Sequence, residues 1–188
     1  EVIENLYRLD DDLYSGAEPR GEAAFALLER LGIKTVVSVD GARPDVEAAR
    51  RHGLRYAHLP LGYNGYGSND CLRLSQAART LPKPLFVHCH HGLHRGPAAA
   101  AVLAMNLHDW SPARAEAWLT TAGTSTHYPG LYATVRSFRQ PTPETLERVG
   151  REFPEVASTP GLVEAMVDID RAWESLKRLE RSNYRLQP

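Results

Sequence analysis

The sequence has little cysteine, no long apolar segment and no excess of one charge. Its 188 residues include 22 Lys and Arg against 23 Asp and Glu, so no overall field attracts nucleic acid or an anionic membrane surface. The longest apolar stretch, Gly96 to Leu107, is too short to span a bilayer. We therefore expect neither a nucleic-acid partner nor a membrane span, and any anion-binding site must be local.

The two cysteines, Cys71 and Cys89, form neither a disulfide framework nor the paired pattern of a zinc site. This usage favours a reducing, cytoplasmic compartment. The first residue is Glu1 rather than Met, so a removed leader stays an open alternative and the localisation is undetermined.

Short apolar runs alternate with stretches of helical periodicity along most of the chain. Strands are predicted near residues 6–8, 13–15, 34–39, 54–61 and 84–88, and helices near 21–31, 44–52, 69–80 and 97–107. The last of these helices is apolar on every side, which is typical of a buried helix. The alternation predicts an α/β three-layer sandwich, with a mainly parallel central sheet flanked by helices.

Beyond Trp110 the pattern becomes wholly helical, with Ser111 as the predicted N-cap of one helix and a further helix near Gly130. The prolines at 141 and 143 predict a boundary between a domain over residues 1–140 and a helical extension over residues 141–188, packed on it. The extension carries an apolar stripe at helical spacing, and such a stripe must lie against another surface. Its members are Leu162, Met166, Ile169, Trp173 and Leu176.

A short motif lies between the last predicted strand and the buried helix. Residues 87–95 read Val-His-Cys-His-His-Gly-Leu-His-Arg, at the strand end where ligands of open α/β sheets bind. A loop with converging N–H groups before a helix N-terminus attracts phosphate and stabilises a thiolate over a thiol. Gly92 permits a conformation that a Cβ would oppose, and the Arg95 guanidinium matches two phosphoryl oxygens. The motif therefore indicates a thiol nucleophile in a phosphate-binding loop.

The motif resembles the signature of the protein tyrosine phosphatase superfamily: His-Cys, five residues and Arg, with Gly three residues after the Cys. The short chain is closest to the dual-specificity group, and the resemblance runs from Leu6 to about Phe138. It implies a cysteine-phosphatase fold and a phosphomonoester hydrolase without cofactor or metal, acting on a phosphorylated protein or small phosphomonoester. Cys89 and Arg95 are the implied catalytic residues. The implied substrate-binding residues are His90, His91, Gly92, Leu93, His94 and Gly96.

The chain departs from the family pattern at two positions. Family members carry Ser or Thr after the Arg, a hydroxyl that supports departure of the cysteine sulfur, whereas this chain has Gly96. Their general-acid Asp falls at Asn64 or Gly65, neither of which donates a carboxyl proton. Asp70 is the candidate acid if the glycine-rich loop 62–67 folds over the pocket; its alternative role is a charge or cap at a helix N-terminus. Turnover is expected to be slow.

Several alternatives stay open at this level. One of His90, His91 and His94 is a second candidate proton donor near neutral pH. A catalytically impaired phosphate-binding module, or pseudophosphatase, fits the missing acid and Gly96. The loop histidines with Cys89 also suggest a zinc or copper site, and a rhodanese-type sulfurtransferase is a further, weaker alternative.

Four residues outside the loop have two interpretations each. Asp40, at the end of a predicted strand, is either a turn residue or a residue that orients the loop. Cys71 is a packed thiol or a partner for a disulfide with Cys89. Tyr63 and Tyr66 either line the mouth of the pocket or are exposed loop tyrosines.

Overall fold

The computed structural model describes residues 2–159 and, beyond them, positions 169, 172, 173, 175–177, 179 and 180. Residues 1–157 form one compact unit, and residues 158–188 form a second. In the described part of the chain, no helix is both long and apolar enough to cross a membrane. Leu162 and Met166 of the predicted stripe lie outside the described residues, and packing of the extension on the domain stays a prediction.

The first unit is built on a five-stranded sheet in the order β1-β2-β5-β3-β4. β1 pairs antiparallel with β2, and the other pairs are parallel. The predicted α/β fold with a mainly parallel sheet is confirmed. The strands are β1 (Tyr7–Asp10), β2 (Leu13–Ala17), β3 (Thr35–Ser38), β4 (Arg55–His58) and β5 (Leu85–Cys89).

Helices connect and follow the strands. They are α1 (Gly21–Arg30), α2 (Val46–Arg51), α3 (Ser68–Thr80), α4 (Arg95–Leu107), α5 (Pro112–Thr121), α6 (Pro129–Ser137) and α7 (Pro143–Glu147). Helix α4 begins at Arg95 rather than at the predicted Pro97. Pro97 is tolerated in the first turn, because the backbone N–H groups there have no partner within the helix and the missing N–H of proline costs no hydrogen bond. Ser111 caps α5 as predicted, accepting a hydrogen bond from the backbone of Arg114.

Alternate side chains along the strands fill two apolar layers. Val37 and Val87 pack with α3 to α6 on one face of the sheet, and Val36 and Phe86 pack with α1 and α2 on the other. Residues 96–105 of α4 are all buried, in agreement with the sequence pattern. The three layers fix the strand ends, and with them the loop that follows β5.

The segment that follows α6 belongs to the first compact unit up to residue 157, beyond the sequence-based boundary at 140. Leu146 and Phe153 are buried in this unit, with 7% and 5% of their surfaces exposed. The backbone N–H of His58 donates to the carbonyl oxygen of Pro154 at 2.8 Å. The segment therefore covers the outer edge of β4.

Candidate active site

Three neighbouring strands deliver polar residues to one edge of the sheet. Glu18 follows β2, Asp40 follows β3, and Cys89 ends β5. In the parallel register Ala17 pairs with Cys89, and Ser38 pairs with His88. The topology thus brings Glu18 and Asp40 to either side of the cysteine.

The loop from Cys89 to Arg95 needs glycine at position 92. Gly92 has φ +69°, and a Cβ there would lie 2.5 Å from the backbone nitrogen of Ala17 and 2.6 Å from the carbonyl oxygen of Gly16. Any side chain at this position would push the loop away from the end of β2.

Four carbonyl groups of the loop region accept hydrogen bonds from donors outside it. The pairs are Glu18 N to His90 O (3.2 Å), Asn5 Nδ2 to His91 O (2.8 Å), Thr124 Oγ1 to Leu93 O (2.8 Å) and Tyr66 OH to Arg95 O (2.6 Å). A peptide C=O and the N–H of the same unit point in opposite directions, so outward carbonyls favour inward N–H groups. This arrangement suits a phosphate-binding cradle.

Asp40 holds Arg95 and the start of the loop. Its Oδ2 accepts from Arg95 Nη2 at 2.6 Å and from the backbone N–H of His90 at 2.8 Å, and its Oδ1 accepts from Ala42 N at 2.9 Å. Burial alone would raise the pKa of Asp40, but the Arg95 guanidinium and the two backbone donors outweigh it and lower the pKa. Arg95 Nε is buried and has no hydrogen-bond partner among the described residues.

Cys89 is buried beside the first turn of α4, with 3% of its surface exposed. A Cβ added at Gly96 would lie 3.1 Å from the backbone nitrogen of Cys89 and 3.4 Å from its Sγ. A serine hydroxyl at position 96 would therefore lie next to the sulfur. In the protein itself the glycine leaves this side of the sulfur without a hydroxyl.

Tyr63 lies at the mouth of the site. The guanidinium carbon of Arg95 is 4.4 Å from its ring centroid, a cation–π distance. The Tyr63 ring also packs on Tyr128 at 4.8 Å, and Tyr128 packs on His94 at 4.8 Å. Tyr63 is 38% exposed, so the mouth presents an aromatic surface to solvent.

The glycine-rich loop 62–67 is docked on the start of α6. A Cβ on Gly65 would lie 2.6 Å from the carbonyl oxygen of Gly130, and a Cβ on Gly130 would meet the backbone of Asn64. Tyr66 N donates to Thr134 Oγ1 at 2.9 Å, while the Tyr66 hydroxyl reaches the active-site loop. The paired glycines let the two backbones touch, and this contact holds Tyr63 over Arg95.

Asp70 occupies the helix-capping role that the sequence left as its alternative. It is the third residue of α3, and its Oδ2 accepts from the backbone N–H of Gly67 at 3.0 Å. Proton donation by Asp70 would require the docked loop to rearrange, and its role as general acid stays a prediction. Cys71 and Cys89 are both free, and burial together with Asp70 raises the pKa of the Cys71 thiol to about 11.

The loop histidines differ in their surroundings. His94 Nδ1 accepts from the backbone N–H of Ser125 at 3.3 Å, which requires a lone pair there and places the ring proton on Nε2. Burial lowers the pKa of His94, so this ring is neutral near pH 7 and a poor proton donor. His91 is exposed.

His90 lies between Arg20 and Glu18. Its Nδ1 is 3.2 Å from Arg20 Nη2 and 3.6 Å from Glu18 Oε2. Burial alone would raise the pKa of Glu18, but its contacts with His90 and Arg20 lower it to about 2. A carboxylate therefore lies at the rim of the cradle at every physiological pH.

The geometry gives no support to the metal-site alternative. Within the described residues, no three His, Cys, Asp or Glu side chains converge closely enough to hold a metal ion. The buried histidine before the cysteine makes a hydrogen-bond contact instead. His88 lies with Nε2 2.7 Å from the Tyr56 hydroxyl.

Sequence reasoning left Asp40, Tyr63 and Tyr66 undecided and missed other residues of the site. Asp40 had a turn as its default role, although its place at the end of the strand beside β5 was a usable signal. Glu18 could have been found by the same rule, because it follows the strand on the other side of β5. The outer donors Asn5 and Thr124 carry no signal in the sequence, since only the folded chain brings them to the loop.

The curated relatives that match this chain are dual-specificity phosphatases. No family model matches the chain. The dual specificity protein phosphatase TpbA of Pseudomonas aeruginosa strain UCBPP-PA14 is 31% identical over 110 residues, which cover 56% of this chain and 49% of TpbA. The chain thus spans about half the length of the curated relatives that it matches.

Solved structures agree in fold. The crystal structure of P. aeruginosa TpbA gives a TM-score of 0.61 at 27% identity, over 72% of this chain and 86% of that chain. A Cys-to-Ser variant of TpbA in complex with pTyr gives 0.59 at 27% identity, over 71% and 83%. PTPMT1 in complex with PI(5)P gives 0.57 at 16% identity, over 78% and 97%, a likeness of fold alone. The chain is therefore a homologue of the dual-specificity phosphatase TpbA, and it has the fold of the protein tyrosine phosphatase superfamily.

Proposed function

We propose that this chain is a phosphomonoester hydrolase that acts through a cysteinyl-phosphate intermediate on Cys89. One observation carries the proposal: Cys89 begins a loop in which four carbonyls accept hydrogen bonds from donors outside it. Beside this loop lies Arg95, whose buried Nε–H has no hydrogen-bond partner in the described part of the chain. A cradle of this kind binds a tetrahedral anion next to the sulfur. The homology to a dual-specificity phosphatase supports the same chemistry.

In the first half-reaction, the Cys89 thiolate attacks phosphorus and the bond from phosphorus to the leaving oxygen breaks. Arg95 and the loop N–H groups hold the three non-bridging oxygens, where charge shifts in the transition state. Asp40 fixes the guanidinium for this purpose through its 2.6 Å contact with Nη2. The leaving oxygen takes up a proton from an acid or from water.

In the second half-reaction, water attacks the phosphorus and the S–P bond breaks, which regenerates the thiolate and releases phosphate. A hydroxyl near the sulfur would stabilise the departing thiolate, and Gly96 has none. We infer that breakdown of the intermediate is the slow half-reaction.

The proposal leaves three possibilities for the proton donor: Asp70, a loop histidine, or no positioned acid. Asp70 is the carboxylic candidate, but its capping bond to Gly67 must break first. His94 is disfavoured as the donor, because its Nδ1 already accepts a hydrogen bond from Ser125 N. His90 and His91 are therefore the remaining histidine candidates. Without a positioned acid, substrates with good leaving groups react best.

For the substrate we propose a phosphorylated protein or small phosphomonoester with a planar group next to the phosphate. Tyr63 and Tyr128 form the aromatic surface at the mouth, on which an aryl ring can stack. The pTyr complex of the related TpbA variant is in keeping with an aryl ester.

A pseudophosphatase is the second candidate function. The capped Asp70 and Gly96 favour it, because both half-reactions then lack a group that assists departure. In that case the same cradle binds phosphate but turns over negligibly.

The test is hydrolysis of an aryl phosphate by the wild type and by Cys89→Ser between pH 4.5 and 8 in chelator, with vanadate binding measured in parallel. We expect activity in the wild type that chelator does not remove and that the variant lacks. The alkaline limb of the pH profile, where a proton donor loses its proton, then identifies a carboxyl or an imidazole donor. Binding of vanadate without hydrolysis would instead establish the pseudophosphatase, and failure to bind vanadate would exclude both.

A further inference from the structure

His58 lies at the end of β4, outside the loop, and takes no part in the reaction proposed above. It is buried, with 1% of its surface exposed. Its Nδ1 accepts from the backbone N–H of Ala157 at 3.0 Å, and its Nε2 lies 2.8 Å from the carbonyl oxygen of Asp40. One imidazole thus joins two distant parts of the chain.

The bond from Ala157 fixes the tautomer of this ring. An N–H donor opposite Nδ1 requires a lone pair there, so the proton is on Nε2 and is donated to the Asp40 carbonyl. In the other tautomer the lone pair of Nε2 would face that carbonyl oxygen and repel it. Burial, which lowers the pKa of His58, keeps the ring neutral in this arrangement.

His58 binds the backbone carbonyl of Asp40, and the side-chain carboxylate of Asp40 binds Arg95. Asp40 Oδ2 accepts from Arg95 Nη2 at 2.6 Å and from His90 N at 2.8 Å. A small shift of the Asp40 backbone would therefore move both the arginine and the first peptide of the loop. Reaction rates are sensitive to such shifts, because a misplacement of about 1 Å can lower the rate roughly 100-fold.

The segment Phe153–Ala157 is itself fixed on the first unit. Phe153 is 5% exposed, and Arg73 lies over its ring at 5.5 Å. His58 N donates to Pro154 O at 2.8 Å, and Glu155 pairs with Arg50. The position of Ala157 N is thus determined by several contacts and not by His58 alone.

We propose that His58 is a positioning residue of the active site, which joins the segment Phe153–Ala157 to Arg95 through Asp40. The inference rests on the proposed function, because it needs Arg95 as the ligand of the phosphoryl group. It gives the segment beyond α7 a role in catalysis that is exerted through the bond from Ala157 to His58.

The test compares two amide variants that each retain one of the two bonds. His58→Gln places an amide N–H near Nε2 and retains the donor to Asp40; His58→Asn places an amide oxygen near Nδ1 and retains the acceptor for Ala157. Both lose one buried hydrogen bond, so unfolding in urea should show similar losses of stability. We expect His58→Asn to lower kcat for an aryl phosphate about 10- to 100-fold and to weaken the binding of inorganic phosphate, while His58→Gln stays close to the wild type.

A third variant tests the segment itself. Ala157→Pro removes the N–H donor to Nδ1, which anchors the His58 ring to the segment, and we expect it to lower kcat in the wild-type background. The same change should have little further effect in the His58→Gln background, because the glutamine side chain of that variant has no bond to Ala157 that the change could break.

Equal kcat and equal phosphate affinity in the two His58 variants would overturn the inference while leaving the proposed function intact. So would an equal effect of Ala157→Pro in both backgrounds. A wild type that neither hydrolyses the aryl phosphate nor binds phosphate would overturn the proposed function, and the role of His58 with it.

Discussion

Single residues set the chemistry that this site can perform. The loop at the end of β5 contains Cys89, Gly92 and Arg95. Asp40 holds the arginine through its carboxylate. The expected slowness also has its cause at this scale, since glycine at position 96 supplies no hydroxyl beside the sulfur. The residue after the arginine is therefore the position at which the cause of the slow step can be tested.

Gly96→Ser should speed breakdown of the cysteinyl-phosphate. The new hydroxyl lies next to Sγ, where it can donate to the departing thiolate. We expect the amount of trapped phosphoenzyme to fall about 10-fold, which corresponds to a decrease of roughly 1.4 kcal/mol in the activation free energy of its breakdown. Rapid acid quench with a labelled aryl phosphate measures the trapped fraction. Gly96→Ala is the matched control, because it adds the same Cβ at 3.1 Å from Cys89 N without the hydroxyl. An equal fall in both variants would attribute the change to crowding.

At the scale of elements, the contact between the loop 62–67 and α6 decides the shape of the mouth. Gly65 and Gly130 let the two backbones touch, and Tyr66 bonds to both α6 and the active-site loop. The loop thereby carries Tyr63 over Arg95 at 4.4 Å. The aromatic mouth therefore depends on two glycines whose close contacts are with the protein backbone.

Gly130→Ala should release this loop. Its Cβ would meet the backbone of Asn64, and such overpacking costs about 1 to 3 kcal/mol of unfolding free energy. We also expect KM for an aryl phosphate to rise, because Tyr63 leaves its place over Arg95. Gly62→Ala in the same loop is the control, since a Cβ there meets nothing within 4 Å. Urea unfolding and steady-state kinetics on both variants measure the two effects; unchanged KM in Gly130→Ala would show that the docking does not shape the mouth.

At the scale of the whole molecule, the buried histidines make stability depend on pH. Burial lowers the pKa of His88 to about 4, against 6.5 for an ordinary histidine. Between these two values the unfolded chain binds a proton at His88 that the folded chain does not. Stability is therefore full above pH 6.5 and falls as the pH drops toward 4.

The wild type should lose about 3 kcal/mol of unfolding free energy through His88 between pH 6.5 and pH 4. In His88→Gln this contribution disappears, so urea unfolding at pH 7 and pH 4.5 should show a smaller difference than in the wild type. His127→Gln, which changes an exposed loop histidine, should leave the difference unchanged. A pH dependence in His88→Gln equal to that of the wild type would contradict the assignment.

The sequence by itself determined the sheet, the buried helix α4 and the position of the cysteine loop, because these follow from local periodicity and a motif of consecutive residues. The positions of Cys89, Gly92 and Arg95 needed nothing beyond that. It did not determine that Asp40 faces Arg95, that Asp70 caps α3, or that His58 meets Ala157. The partners in the first and third contacts are far apart in the chain, and Asp70 had both a capping and a catalytic role open to it. Only the packing of the folded chain, including the segment up to residue 157, selects among these possibilities.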